Sequence, residues 1–491
     1  MEPQHIVSID EHHSRKVIRI EGQPTITREE RFKRLTEAGD RTRAAEPAKI
    51  QKVIFLLRDH KHFVKYFEPR VAAVGPIHHG NPKYRLGEEY KLVLASKFVE
   101  RSGKDIKRLY EEAEMEIKQL RRCFEEEVTK NYDDEALAWM LFVDGCAILQ
   151  YIFCAANNKF EELNIKIDSV AFAQQDLFLL ENQVPYCLLK LLMNLSGKEV
   201  ELSESIERFI GSVTYQETKP QQKQGESFCS QPKQPTHLLD LLRTTLLGNK
   251  VQKEQESKAS NPPESSKSDS PSGKTRGIWP CRKKGEEDPD WQSYRNVQEL
   301  KSAGIQLKRS KHRSLRNVSF TRRFNFYPGY LWLPPIIVDD STGPKFMNLI
   351  AYEMCLDFKN DFGISSYISF LDSLIDEVND VKDLRKAHVL HNFLGSDQEV
   401  ADLFNEIGTD VVPNTDAYKD VKGQIQEYYE IPYMTWLAQV YHNHFSSPWT
   451  VLAFLGVLLG LGLTAAQTAY AVMASHLGPC EKFCMLKLKE T

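Results

Sequence analysis

Between Glu430 and Glu481 the chain has no Asp, Glu, Lys or Arg, and Trp449-Thr-Val-Leu-Ala-Phe-Leu-Gly-Val-Leu-Leu-Gly-Leu-Gly-Leu-Thr-Ala-Ala-Gln-Thr-Ala-Tyr-Ala-Val-Met-Ala474 within that window is almost wholly apolar. A helix needs roughly 20 such residues to cross ~30 Å of hydrocarbon. The run therefore predicts one transmembrane helix, within residues 446–475. Trp449 and Tyr470 stand near its ends, where amphipathic rings prefer the headgroup level, and Pro448 marks its start. The competing reading is a buried core helix, but such helices rarely run this long without charge. Everything upstream is then a water-facing body tethered to a bilayer.

That body has a globular composition: over 491 residues the chain is 41% hydrophobic and 27% charged. A formal net charge of -4 gives no basic domain of the kind nucleic-acid binding requires, so nucleic acid is not an expected partner. Met-Glu-Pro-Gln-His-Ile-Val-Ser-Ile-Asp at the start is acidic and lacks an apolar run, which predicts neither a secretory signal nor a transit peptide and favours a cytosolic body. The nine cysteines are odd in number and lack paired zinc spacing, and several lie in apolar runs, a pattern of reduced thiols rather than a disulfide framework.

In chain order, residues 1–47 read as a disordered polar arm and 48–214 as the first part of a helical body. Glu68-Pro-Arg-Val-Ala-Ala-Val-Gly-Pro-Ile-His-His-Gly80 is punctuated by Pro and Gly and predicts a loop of defined shape. Ile106, Leu109, Ala113, Ile117, Leu120 and Phe124 recur at helical spacing, predicting a helix with one apolar face. Ala136 to Phe153 is apolar nearly all round apart from Asp144 and Gly145, which predicts a central, doubly covered helix. Another helix is expected over Val170 to Leu180, before Glu181-Asn-Gln-Val-Pro185, whose polar residues either line a site or cap the junction.

Residues 215–291 turn to Lys, Gln, Ser, Pro and Glu, a low-complexity insertion with one amphipathic helix near 237–248 that is expected to dock on the body. The second part of the body, 292–445, opens on a short helix over Val297 to Leu307 and a basic run, Lys308 to Arg316. Aromatic and β-branched residues from Val318 to Val338, broken by Pro328-Gly329, predict a β-hairpin near 318–338. Further helices are expected over Lys345 to Phe358, Ile364 to Asn379, His388 to Leu394, Asp397 to Ile407 and Asp416 to Tyr429, and a short basic tail over 476–491. The fold class is thus mainly α: a multi-helix body with one small β-hairpin and a single C-terminal transmembrane helix.

Several fragments imitate chemistry. Ser272-Gly-Lys-Thr275 lacks the first glycine and the preceding strand of a phosphate loop. Asp361-Phe-Gly363 lacks the other kinase elements and reads as a helix end with a glycine stop. His78-His79 and His388-Val-Leu-His391 have no third ligand at zinc spacing, so no metal and no cofactor are expected. The basic run, with Arg322 and Arg323, suits either a solvated loop or an anionic-lipid contact. Gly456, Gly460, Thr464 and Thr468, four apart, make a small-residue stripe on which a second membrane helix would fit.

Four blocks together resemble the plant family catalogued as domain of unknown function 247: Pro69-Arg-Val-Ala-Ala-Val-Gly-Pro-Ile-His-His-Gly80, Asp176-Leu-Phe-Leu-Leu-Glu-Asn-Gln-Val-Pro185, Leu331-Trp-Leu-Pro-Pro-Ile-Ile-Val-Asp-Asp340 with Asn348-Leu-Ile-Ala-Tyr-Glu353, and Ser447-Pro-Trp-Thr with Gln467-Thr-Ala-Tyr470. The resemblance implies a mostly helical body with one carboxy-terminal anchor, usually at the plasma membrane, and no established enzymatic activity. Some grass members are encoded at self-incompatibility loci and look like pollen-side recognition determinants. Ile77 stands where the family more often has an aromatic residue, and the 215–291 insertion is long.

The candidate surface carried by the family motifs is Arg70, Gly75, Pro76, His78, His79, Gly80, Glu181, Asn182, Gln183 and Pro185. The expected function is a membrane-tethered interaction or recognition module without catalytic residues, its partners being the bilayer and another protein or a second copy. The rivals are a hydrolase or transferase using the Gly75 to Gly80 loop with Glu181, and a lipid-binding scaffold using Lys308 to Arg323. Orientation is contested: Lys482, Lys487 and Lys489 after the span favour a cytosolic tail, while the missing signal and unpaired cysteines favour a cytosolic body, which is the reading adopted.

Overall fold

The computed structural model describes residues 27–40, 49–163, 165–215, 234–248, 296–322, 328–409, 411–429 and 448–476. Most of the low-complexity insertion, the Ser272 motif, residues 1–26 and the basic tail lie outside them. The chain divides into two units, Met1–Pro47 and Ala48–Thr491. In the first, the segment read as an arm contains the helix Arg28–Asp40, mostly charged but with Phe32 and Leu35 exposed. Its N-terminal turn is capped by the Thr27 hydroxyl, which accepts from the Glu30 N–H at 3.3 Å, and Glu30–Arg34 and Lys33–Glu37 pair one turn apart.

The second unit is built on the central helix Asp134–Asn157, buried from Leu137 to Cys154 except at Trp139. Asp133 caps its start by accepting from the Ala136 N–H at 2.7 Å, and Asn158 ends it in the left-handed region at φ 53°. Arg85–Ser102, Ile106–Met115, Tyr186–Leu195 and Glu199–Thr214 pack around it. Gly145 lets the Tyr186–Leu195 helix come close, since a Cβ there would sit 2.7 Å from Leu192 Cδ1. The helix read continuously through Ile106 to Phe124 breaks at Glu116 into Ile106–Met115 and Ile117–Arg122. Leu109, Ala113, Ile117 and Leu120 stay buried across the break, so the apolar face is kept while the axis turns; Phe124 lies beyond it and bridges to Ile50.

The β content is small and mixed. Strand β1 (Ile305–Arg309) runs parallel to β3 (Gly329–Leu333), and β2 (Ser319–Thr321) pairs antiparallel with β3, Phe320 opposite Leu331. The expected hairpin is this β2–β3 pair; β1 occupies the end of the segment read as helix and the start of the basic run, the helix Val297–Ser302 having ended earlier. Pro334-Pro335 then removes two N–H donors, and β4 (Ile336–Val338) leaves to pair in parallel with β5 (Leu390–Asn392). The helix expected over His388 to Leu394 is therefore overturned: His388, at φ 56°, turns the chain after the helix Val378–Lys386, and the next residues join β4.

Other corrections are local. The helix expected over Ile364 to Asn379 is two, Gly363–Asp372 and Val378–Lys386, the second opened by a Glu377–Asp380 capping box. Gly363 begins a helix rather than stopping one. Thr342–Glu353, Asp397–Gly408 and Lys419–Tyr429 complete the core, together with Leu238–Leu247 from the insertion, whose Leu238, Leu239, Leu242, Leu246 and Leu247 are buried.

Among the described residues two helices are long and apolar enough to span a bilayer, each with mean hydropathy 1.7, and burial separates them. The window in Asp134–Asn157 is 94% buried inside the body, whereas that in Leu452–Met473 is 0% buried. The first is a core helix and the second, within Pro448–His476, is the membrane helix of a single-pass protein. The fold is mainly α, with small β sheets and one C-terminal apolar helix, as the sequence predicts.

Candidate functional site

The loop at 69–80 is held from beneath by buried polar side chains drawn from three helical segments. Asp176, at the end of the helix Ile167–Asp176, accepts the N–H groups of Arg70, Val71 and Ala72 at 2.8, 2.8 and 3.0 Å. Burial lifts the Asp176 carboxyl above its usual range, against these three donors, which favour the ionised form. Asn182 Oδ1 accepts from the Val74 N–H at 2.7 Å, while its amide donates to the carbonyls of Ala72 and Asp176. Asp144 accepts the Gly75 N–H at 2.7 Å and the Lys91 ammonium at 2.6 Å. The Lys91 ammonium also reaches the Ala73 carbonyl at 2.7 Å and Glu88 at 2.9 Å. Burial pulls the Lys91 pKa down, but the Asp144 and Glu88 carboxylates outweigh it and leave it above the ordinary lysine value.

Gly75 is required for its backbone: φ is +70°, and a Cβ would lie 2.5 Å from the Gln183 carbonyl oxygen. Gln183 donates to the Leu177 and Leu179 carbonyls at 2.8 Å each and accepts from the Leu239 N–H, so it ties the loop to the insertion helix. Pro76 is held through its carbonyl, which accepts from Tyr132 Oη at 3.1 Å. Pro185 precedes the helix Tyr186–Leu195 and its carbonyl accepts the Leu188 N–H. Arg70 is exposed, its guanidinium 5.1 Å from the Phe172 ring centre; His79 and Gly80 are also exposed, the His79 ring edge-on to Tyr132.

Glu181 is the hub of the other end. Its Oε1 accepts the Val53 N–H at 2.8 Å and Arg58 at 3.3 Å, and its Oε2 lies 3.2 Å from His78 Nε2, an ion-pair distance without hydrogen-bond alignment. A histidine beside a carboxylate is the start of acid–base machinery, but here the carboxylate is already engaged by a backbone donor and an arginine. The nearby cavity, bounded by Val74, Lys91, Asp144, Tyr151 and Leu177, measures about 50 Å³, room for little more than a water or a methyl group. Among the described residues no cluster of three or more His, Cys, Asp or Glu is placed to hold a metal.

The motif residues Glu181, Asn182 and Gln183 thus meet the 69–80 loop, and neither line an open cleft nor cap the next helix. The residue reading missed Lys91, Asp144, Asp176 and Asn348 as site builders. Asn348 accepts the Leu180 N–H at 2.8 Å and donates to the Tyr66 and Pro344 carbonyls. Asp144 had a legible signal, a charge inside an otherwise apolar helix. A further network, Arg243 with Glu353 at 2.7 Å and Asp361 at 3.1 Å, and Arg316 with Asp361 at 2.7 Å, is buried at Arg243 and Glu353 and half-buried at its other end, and fastens the insertion helix to the second half of the body. On the membrane helix, Gly456 and Gly460 are open, with nothing within 4 Å of a Cβ at either. Thr464 and Thr468 donate to the carbonyls of Gly460 and Thr464 at 2.8 Å each.

The chain is similar to the UPF0481 protein At3g47200 of Arabidopsis thaliana, 28% identical over 84% of this chain and 83% of that one. A second UPF0481 protein of Arabidopsis thaliana, At3g02645, is 21% identical over 84% of this chain and 88% of that one. No solved structure matches. The family model described as DUF247, plant protein of unknown function, matches residues 50–463, from the strap that Glu181 holds to the middle of the membrane helix, and the chain belongs to that family.

Proposed function

We propose that this protein is a membrane-tethered interaction module, whose body lies on the cytosolic face of the plasma membrane and presents a surface to another protein. The observation that carries the reading is Trp139, 49% exposed on a helix otherwise buried from Leu137 to Cys154. Its ring packs at 5.7 Å on Tyr110 and 6.2 Å on Phe142, and exposed Ile106 lies one turn from Tyr110. A large exposed aromatic backed by a buried ring, Phe142, and a half-buried one, Tyr110, is how interface anchors are built. The polar groups of Asp176, Glu181, Asn182 and Gln183 are spent on holding backbone, which supports a binding role over a catalytic one. Recognition between cells of the self-incompatibility kind would require the opposite orientation of the body.

A photo-crosslinking residue at position 139 of the membrane-inserted full-length protein tests this. The expected result is one discrete adduct that disappears with Ile106→Glu. Adducts no more discrete than those from position Lys107 would sink it.

A second reading has its own observation. Lys308, Arg309 and Lys311 are exposed. Burial, and then Arg309, His388 and Arg313, push His391 below the ordinary histidine value, so positive charge gathers across β1 and β5. This is the anionic-lipid scaffold. Hydrogen exchange over 308–316 in nanodiscs should slow with phosphatidylserine and not with neutral lipid, and equal exchange in both would dismiss it.

A further inference from the structure

The 69–80 loop, the central helix and the helices Arg85–Ser102 and Ile167–Asp176 enclose the cavity of about 50 Å³. Val71, Tyr90, Ile148, Tyr151, Val170 and Ala173 are among its walls, and the Lys91–Asp144 pair closes its buried side. Val71, Tyr90, Val170 and Ala173 are only half-buried, so the cavity lies just beneath the surface.

Three of these walls are fixed. The loop is held by Asp176, Asn182 and Asp144. The helix Arg85–Ser102 meets the loop backbone to backbone, since a Cβ on Gly87 would lie 2.1 Å from the Val71 carbonyl oxygen. The central helix is the core itself. The fourth wall, Ile167–Asp176, buries no residue before Asp176 and leaves Ile167 81% exposed. Tyr151 latches it across the cavity, its Oη donating to the Val170 carbonyl at 2.6 Å. An element with so little buried surface opens locally at low cost, and the three N–H groups on Asp176 make that end the hinge.

A cation stands where this wall meets the loop. Arg70 precedes Val71, and Phe172 precedes Ala173; the exposed Arg70 guanidinium lies 5.1 Å from the Phe172 ring centre and makes no ion pair among the described residues. A guanidinium offers a carboxylate two parallel donors, and the slot beside it offers an alkyl chain apolar walls.

We propose that the cavity beneath the helix Ile167–Asp176 binds a short-chain monocarboxylic acid, its carboxylate on Arg70 and its chain between Val71, Ile148 and Val170. The closed volume is about a third of the ~150 Å³ that accommodates benzene. The chain therefore enters as the Tyr151–Val170 bond breaks and the helix swings out about Asp176. Each methylene that leaves water for these walls tightens binding about fourfold. The Trp139 face takes no part, so this site stands or falls independently of it.

The experiment is equilibrium dialysis of radiolabelled hexanoate against the full-length protein in nanodiscs, with empty nanodiscs subtracting partition into lipid. Saturable binding is expected, roughly tenfold tighter than for butanoate as two more buried methylenes require. Arg70→Gln should weaken hexanoate about tenfold and leave hexanol unchanged, as loss of a charge-assisted bidentate contact implies. Ala173→Leu, which fills the cavity from its loosely held side, should abolish binding of both. Hydrogen exchange over Ile167–Asp176 should slow with hexanoate in the native protein, with the central helix keeping its protection in both variants. The proposal is overturned if hexanoate binds loaded nanodiscs no better than empty ones, or if either variant binds it as tightly as the native protein.

Discussion

Asp144 shows how a single side chain organises the candidate site. It is buried in the middle of the central helix and bonds at once to Gly75, across the loop, and to Lys91, across the helix Arg85–Ser102. Asp144→Ala leaves the buried Lys91 charge with Glu88 as its one carboxylate, so the loss should fall below the roughly 3–5 kcal/mol of a fully unpaired buried charge. Chemical denaturation of the protein should show that loss, and a midpoint unchanged within error would mean water reaches Lys91. His237 gives a pH prediction. It is wholly buried, its Nδ1 accepts the Asp240 N–H at 3.2 Å, and burial lowers its pKa to about 4, against the pull of the Asp240 carboxylate. The unfolded chain binds the proton first, so stability contributed by neutral His237 is present above about 6.5 and is lost as pH falls toward about 4. Melting temperature should fall across that window in the native protein and fall less in His237→Asn. Asp144 was visible as a charge in apolar text, and Gly75 as punctuation. The partners they choose, Lys91 and the Gln183 carbonyl, are set by packing across elements, which a linear reading does not contain.

At the scale of elements, the sequence was legible where one period persists and silent where pairing is long-range. The central helix and the membrane helix announce themselves by unbroken apolar text, and Leu238–Leu247 by its leucines before Gly248. The break at Glu116 leaves the three- and four-residue spacing intact, so periodicity alone reads through it. β1 and β5 are three to five residues long and exist because β3 and β4 supply their hydrogen bonds. The insertion helix is similarly contingent on its clip. Arg243→Ala would leave Glu353 without its cation, and hydrogen exchange over Leu238–Leu247 should quicken by at least tenfold while the central helix keeps its protection; uniform exchange would mean the leucines alone secure it. For the membrane helix, Gly456→Leu with Gly460→Leu would put bulk on the open stripe. If that stripe pairs, energy transfer between labelled copies in vesicles should drop severalfold, and an unchanged signal would place contacts elsewhere.

For the whole molecule the decisive measurement is which side of the bilayer the body occupies. Asn317-Val-Ser is part-buried, with Asn317 Nδ2 3.2 Å from Ser310 Oγ, while Asn194-Leu-Ser places Asn194 on the exposed end of a helix. Glycosylation of an acceptor engineered into the tail, with Asn194 and Asn317 unmodified, is expected for a cytosolic body. Sugar on Asn194 would reverse the topology and make the Trp139 surface face ligands outside the cell. The equal hydropathy of the central and membrane helices has a consequence during synthesis. A translocon that weighs emerging segments by hydrophobicity meets the central helix first, some 300 residues before the true anchor. Asp144 is what it would have to drag into lipid, at about 2.5–3.5 kcal/mol for a charge at mid-membrane. The same carboxylate that fastens the loop in the finished protein would thus act earlier as a rejection signal, keeping the nascent body out of the bilayer until its own anchor arrives.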